Sequence, residues 1–306
     1  MGIRFIAVIL TAALLSCSDP VIGPSPPPPA STTTTTAKEP PPPFSWDRFQ
    51  GFSAFALFAH DEATRESTIH QAMAFGWNTP RVCAETEWWE GSFYFPRVLR
   101  DTLQLRYNLD HLTSIPGVQV LLIANCTYKH NASDADQLGW MNAVANVAKD
   151  YPNVAVEVVN EYEHPYYNVG EPTVIEAIRY ARSIGIQEVG ADSGVCHRNA
   201  RLDHPLLRWV TFPSFHPCRT KGQEPWDPPV SFLRDLVNAN RGFAVLSETV
   251  AYDDSGLECE DGLRTCDQDR IQRYVDNCAR VAGCKFTFHS MAGLRGADYT
   301  FFPNAK

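Results

Sequence analysis

Eight short runs rich in β-branched and aromatic residues recur between residues 52 and 289. They are FSAFALFA (52–59), TPRVCA (79–84), VQVLLIA (118–124), VAVEVV (154–159), EVGADS (188–193), WVTFPSF (209–215), FAVLSE (243–248) and CKFTFH (284–289). Runs this short and this apolar suit strands covered on both faces, as a parallel sheet requires. Helical patterns lie between several of them. DEATRESTIHQAMAFG has an N-cap candidate in Asp61 and a stop in Gly76. DADQLGWMNAVANVAKDYP ends before a proline, and PTVIEAIRYARSIG carries Val174, Ile175, Ile178 and Ala181 at helical spacing before Gly185.

This alternation predicts an α/β fold, a (β/α)8 TIM barrel forming a single domain over residues 45–306. A doubly wound open sheet is the alternative. It calls for a Gly-rich phosphate loop after the first strand, and FALFAHDEA has none. Only 17 residues follow the eighth run, so the eighth helix is expected to be short or irregular.

Two segments precede the domain. Residues 1–16 have a positive start in Arg4 and an apolar stretch, Phe5 to Leu15, too short to span a bilayer, which reads as a signal peptide. The apolar stretch ends in Leu14-Leu15-Ser16-Cys17, which resembles a bacterial lipobox and makes Cys17 the expected lipidation site. An ordinary secretory signal with an incidental cysteine is the competing reading. Residues 17–44 include PSPPPPASTTTTTAKEPPPP, a Pro/Thr tract biased to extended polyproline conformation and unable to bury a core. It reads as a tether, and less readily as a Pro-rich recognition ligand. Together the segments predict an exported, membrane-anchored lipoprotein, periplasmic or at the cell surface, or released extracellularly.

The net charge of −9 carries no Lys/Arg cluster, so nucleic acid is not an expected partner. The chain is expected to be a monomer. If Cys17 is lipidated, eight of the nine cysteines remain, an even set in an exporting context where disulfides persist. Cys259 with Cys266 and Cys278 with Cys284 are close in sequence. Cys83 and Cys126 end neighbouring strands two and three, and Cys196 and Cys218 end strands five and six. All four pairs are bridge candidates. No CxxC pair points to redox or metal chemistry.

In a barrel of this kind chemistry sits at the C-terminal strand ends. Strand two delivers Arg81, strand four Asn160-Glu161, strand six His216, strand seven Glu248 and strand eight His289. Glu161 and Glu248 are 87 residues apart, three βα repeats of 29, and would face each other across the mouth. Two facing carboxylates suit glycoside hydrolysis, one protonating the leaving oxygen while the other attacks or activates water. A carboxyl separation of about 5–5.5 Å gives retention and one of about 6.5–9.5 Å gives inversion. Glu157, deep in strand four, reads as structural and paired with a cation. Glu85, Glu87 and Glu163 read as loop acids. Trp88, Trp89, Tyr166, Tyr167 and Trp226 follow strand ends and are candidates for stacking on sugar faces, against the alternative of loop packing.

FGWNTPRV (75–82), NVAVEVVNEYEHP, VIEAIRYARSIGIQEVGADS and FAVLSE together resemble clan A glycoside hydrolases, closest to the family 5 pattern of cellulases and mannanases. The likeness covers most of residues 50–250. It implies a glycosidase acting on a β-linked polysaccharide or oligosaccharide, retaining, with no cofactor and no metal. Glu161 would be the acid/base and Glu248 the nucleophile. Asn160 would bond the sugar's 2-hydroxyl, Arg81 would keep Glu248 ionised, and His216 would lie near the nucleophile. Glu161 would need a raised pKa to act as acid. Three positions depart from the pattern. Tyr162 stands where proline follows Asn-Glu, Thr249-Val250 replace an aromatic and Gly, and Phe288-His289 stand where a Trp floors the sugar site. These bear first on substrate identity. The rival readings are a non-catalytic carbohydrate-binding barrel and a cell-surface scaffold domain on its stalk.

Overall fold

A computed structural model describes residues 40–85, 100–126, 133–162, 169–196, 202–216, 229–240, 244–250 and 268–289. Eight parallel strands run in chain order: β1 Gly51–Ser53, β2 Thr79–Cys83, β3 Val120–Asn125, β4 Val154–Val159, β5 Val189–Cys196, β6 Phe212–His216, β7 Ala244–Val250 and β8 Cys284–His289. Each strand pairs with the next, and β8 pairs with β1 through Gly51–Thr287 and Phe52–Phe288, closing the sheet. Among the described residues six α-helices lie between them: α1 Glu62–Ala74, α2 Thr102–Thr113, α3 Asp134–Ala148, α4 Glu171–Ser183, α5 Val230–Ala239 and α6 Gln268–Ala279. Between β5 and β6 the described residues form only a four-residue 3-10 helix, Pro205–Arg208. The segment expected to hold the eighth helix lies outside the described residues. Pro40–Lys306 forms one compact unit, and Met1–Glu39 lies outside the described residues. Among the described residues no helix is long and apolar enough to cross a membrane.

The local chemistry explains the helix ends. Asp61 caps α1 by accepting from the Thr64 N–H at 2.8 Å, and Gly76 ends the helix region at φ 92°, where a side chain would be strained. Ser133 and Asp136 bond reciprocally as a capping box at the start of α3. β1 is shorter than FSAFALFA suggests. Ala54 N–H still donates to Arg81 O, but Leu57 N–H then turns back to Ala54 O and opens a 3-10 helix. The turn carries Phe55 towards the mouth instead of extending the ladder.

Alternation divides each strand between two layers. Outward residues such as Val82, Leu122, Val156, Val158 and Phe288 pack in one large core that also takes in helix residues such as Ile69, Leu109, Val144 and Ile178. Inward residues fill the barrel in tiers. At the N-terminal end Trp46, Phe49, Leu121, Ala155 and Phe212 form an apolar plug. The Trp46 ring sits 5.0 Å from Phe212 and 5.1 Å from Phe49. Gln119 holds the plug segment in place, accepting from the Ser45 N–H at 3.0 Å and donating to Ser45 O at 3.1 Å.

Gly190 is where the plug presses hardest on the sheet. A Cβ there would collide with the Phe212 ring and stand 2.5 Å from the Phe212 carbonyl oxygen. The backbone oxygen cannot swing aside. Gly190→Ala is expected to cost about 1–3 kcal/mol through overpacking, read as a lower midpoint in urea unfolding with an unchanged slope.

Two disulfides are described. Cys83–Cys126 ties the end of β2 to the residue after β3, with Cα atoms 5.8 Å apart, and Cys278–Cys284 ties α6 to β8 at 5.3 Å. Both were expected pairs. Cys196 ends β5, while its expected partner Cys218 lies outside the described residues, as do Cys17, Cys259 and Cys266.

Candidate active site

The site begins with charge placed deliberately inside an apolar barrel. Arg81 on β2, Glu157 on β4 and Asp192 on β5 all point inward and are fully buried. Arg81 Nε donates to Glu157 Oε2 at 3.0 Å and Nη2 to Oε1 at 2.6 Å, a two-pronged grip that matches the carboxylate's shape. The same Nη2 reaches Asp192 Oδ2 at 3.1 Å and Asn160 Oδ1 at 2.7 Å. The face of Phe55 lies 5.0 Å from the guanidinium carbon. Buried charge is tolerated when pairing and hydrogen bonds offset its desolvation, and this cluster meets both conditions.

The cluster's product is the orientation of Asn160. Its Oδ1 is taken by Arg81, so its NH2 remains as the amide's donor end. That assignment follows from the hydrogen-bond network. Asn160 is 4 % exposed at the top of β4, and its N–H donates to Asn125 O on β3 at 2.9 Å.

Glu161 follows at φ 49°, the one non-glycine residue at positive φ among the described residues. An L residue held there carries backbone strain, which persists only where the surroundings enforce it. The enforcement is visible on both sides. Asn160 is pinned to β3 and Arg81, and Tyr162 N–H donates to Asp192 O on β5 at 3.1 Å. Glu161 is itself 6 % exposed.

Three strands after β4 in the order, Glu248 lies on β7. Leu246 pairs with Phe286 and Thr249 with Phe288, so β7 carries one more residue than β8 across this stretch. Ser247 and Glu248 therefore sit at a bulge in the β7–β8 ladder. His216 is the last residue of β6 and pairs with Cys196. His289, the last residue of β8, is buried with its ring 5.6 Å from Phe55. Its neighbour Phe288 faces the helical layer, 5.7 Å from Trp77.

Arg81, Asn160, Glu161 and His289 thus converge at or just below the C-terminal end of the barrel. Arg81 is fully buried and bonds Asn160, Glu157 and Asp192. Glu157 has the cationic partner expected of it. Glu85 is also buried, in an ion pair of 2.6 Å with Arg100 just before α2. Trp88, Trp89, Tyr166, Tyr167, Trp226, Glu87 and Glu163 lie outside the described residues. Two participants, Asp192 and Phe55, are not among the residues the sequence singles out. Asp192 was detectable as an acid at an inward position of an otherwise apolar strand, the signal that singled out Glu157. Phe55 was not, because it was read as part of a strand. Among the described residues no cluster of His, Cys, Asp and Glu is arranged to hold a metal ion.

No protein-family model and no curated protein matches the chain. Solved structures do. A family 5 glycoside hydrolase from Bacteroides vulgatus superposes with TM-score 0.55 at 12% identity, covering 84% of this chain and 62% of its own. An endo-1,4-β-mannanase from Rhizomucor miehei gives TM-score 0.53 at 14% identity, covering 78% and 85%. An endocellulase from Pyrococcus horikoshii, solved with cellotetraose, gives 0.51 at 16% identity, covering 79% and 84%. This chain spans about half, 51%, of a further Bacteroides vulgatus chain that it matches. At these identities the likeness is one of fold, the curled parallel sheet with outer helices common to these proteins.

Proposed function

We propose that this protein is a glycoside hydrolase, built as a (β/α)8 barrel, that cleaves a β-linked glycan by a retaining two-carboxylate mechanism. The observation that carries the proposal is Glu161, strained at φ 49° directly above a buried charge cluster that orients the adjacent Asn160. Strain of this sort, enforced from two neighbouring strands, clusters at active sites, which supports a catalytic Glu161. Glu161 donates a proton to the leaving glycosidic oxygen. Glu248, on β7, attacks the anomeric carbon and forms a glycosyl–enzyme bond as the leaving group departs with that proton. Glu161 then takes a proton from water, which displaces Glu248 and restores both groups. Asn160 donates its NH2 to the sugar hydroxyl beside the breaking bond, a contact that strengthens in the transition state. The structural neighbours' mannanase and endocellulase activities favour β-mannans and β-glucans as first substrates to try. His289 and the aromatic residues Trp88, Trp89, Tyr166 and Trp226 would line the sugar site, with His216 near the nucleophile.

The test is incubation of the protein with mannan, cellulose-derived and xylan oligosaccharides, with proton NMR of the first-formed anomer. Release of product with the substrate's β configuration supports the proposal. Release of the opposite anomer removes the covalent step, and binding without turnover favours a carbohydrate-binding barrel. We further propose export as a lipoprotein anchored through Cys17. Labelled fatty acid should enter the full chain and be lost in Cys17→Ala.

A further inference from the structure

The strained Glu161 is held from one side by Asn160, and the other side invites a separate question. Tyr162 stands where the resembled pattern has a proline, and a proline would have fixed the backbone without help. Tyrosine cannot do that, and its φ torsion is unrestrained unless something holds it. The structure supplies the restraint. Tyr162 is 6 % exposed, its N–H bonds Asp192 O, and its hydroxyl lies 3.2 Å from His204 Nε2. The two rings meet edge to face at 6.1 Å. His204 Nδ1 accepts from the Leu206 N–H at 3.3 Å, capping the Pro205–Arg208 helix, so the ring proton belongs on Nε2, directed to the Tyr162 hydroxyl. Nε2 is also 3.7 Å from Glu171 Oε2 at the start of α4. The chain therefore runs from the strained residue across to a helix end in the β5–β6 connection.

We propose that Tyr162 and His204 are a pair of positioning residues that replace a proline's rigidity with a side-chain clamp and so hold the Glu161 carboxyl in its working orientation. The inference rests on the proposed function. Neither side chain touches the reacting atoms. Their effect is on how often Glu161 is correctly placed, so their loss lowers kcat while leaving ground-state sugar contacts intact. A displacement of the order of 1 Å at a reacting group can cost about 100-fold.

The experiment uses the full chain with the best glycan from the panel, and compares Tyr162→Phe, His204→Ala and the double variant. Expected is a fall in kcat of about 10- to 100-fold in each single variant, with KM within about twofold and the double variant no worse than the poorer single one, because the pair acts as a unit. His204→Gln, which can still donate to the hydroxyl, should recover most of the rate. Hydrogen exchange is read in parallel and needs no substrate. The amide at 162 should exchange about tenfold faster in Tyr162→Phe, with the amides of α4 unchanged. An unchanged kcat, or a lower melting temperature with normal kcat, overturns the proposal. So does unaltered exchange at 162. If the unmodified protein hydrolyses no glycan, the enzymatic reading falls, and exchange alone decides whether the clamp exists.

Discussion

Arg81→Met should leave the protein barely folded. The substitution roughly conserves length and apolar bulk, yet it strips the guanidinium from Glu157 and Asp192, both fully buried. Two buried carboxylates then lose that counter-charge, and removing one member of a buried pair costs about 3–5 kcal/mol. A domain's entire stability is about 5–15 kcal/mol. Urea unfolding monitored by tryptophan fluorescence should show the midpoint collapse. The cause is testable by repair: Arg81→Met combined with Glu157→Gln and Asp192→Asn should regain much of the loss, since neutral amides need no cation. If the single variant unfolds at the normal midpoint, the cluster does not hold the mouth together in the way its geometry suggests.

Glu161→Gln and Glu248→Gln should both abolish turnover of natural glycans, but they should differ on an activated substrate. Removing a general acid costs about 10²- to 10⁴-fold when the leaving oxygen must be protonated. An aryl glycoside whose phenol leaves as a stable anion needs little protonation. Glu161→Gln should therefore retain near-normal bond cleavage on such a substrate and stall at the second step, giving a burst of released phenol followed by a slow phase. Glu248→Gln lacks the attacking carboxylate and should show no burst on either substrate. A burst from Glu248→Gln, with none from Glu161→Gln, would reverse the two assignments. Equal and small losses in both would place the chemistry elsewhere.

Much of this architecture was legible because a parallel barrel imposes a crude, repetitive demand on sequence. Each strand must be apolar on two faces, and that demand located all eight, with β4 and β8 found to the residue. The helices read from Asp61 to Gly76 and from Pro172 to Gly185 were marked by caps and stops that depend on local backbone alone. The errors fell where tertiary contacts decide. FSAFALFA looked like one strand because its composition carries no sign of the turn at Ala54–Leu57. α2, α5 and α6 went unlocated, although α5 carries Phe232, Leu233, Leu236 and Val237 at helical spacing. At the site, Glu157 and Glu161 stood out as acids ending an apolar strand. The partnership of Arg81 with Asp192 did not, because it joins strands 111 residues apart in sequence. Strain at Glu161 has no sequence signature, since glutamate rarely marks a positive-φ position.

The seam between β1 and β8 joins residues separated by nearly the whole folded length, with Gly51 beside Thr287. Contacts this distant are the slowest part of an assembly pathway, because the entropy of closing so long a loop is lost before any pairing is gained. Cys278–Cys284 alters that sequence of events. Spanning six positions, it fastens the end of α6 to the start of β8, so the last strand arrives already mounted on its helix. The closing step becomes the docking of one prefabricated piece, a strand and its helix delivered together.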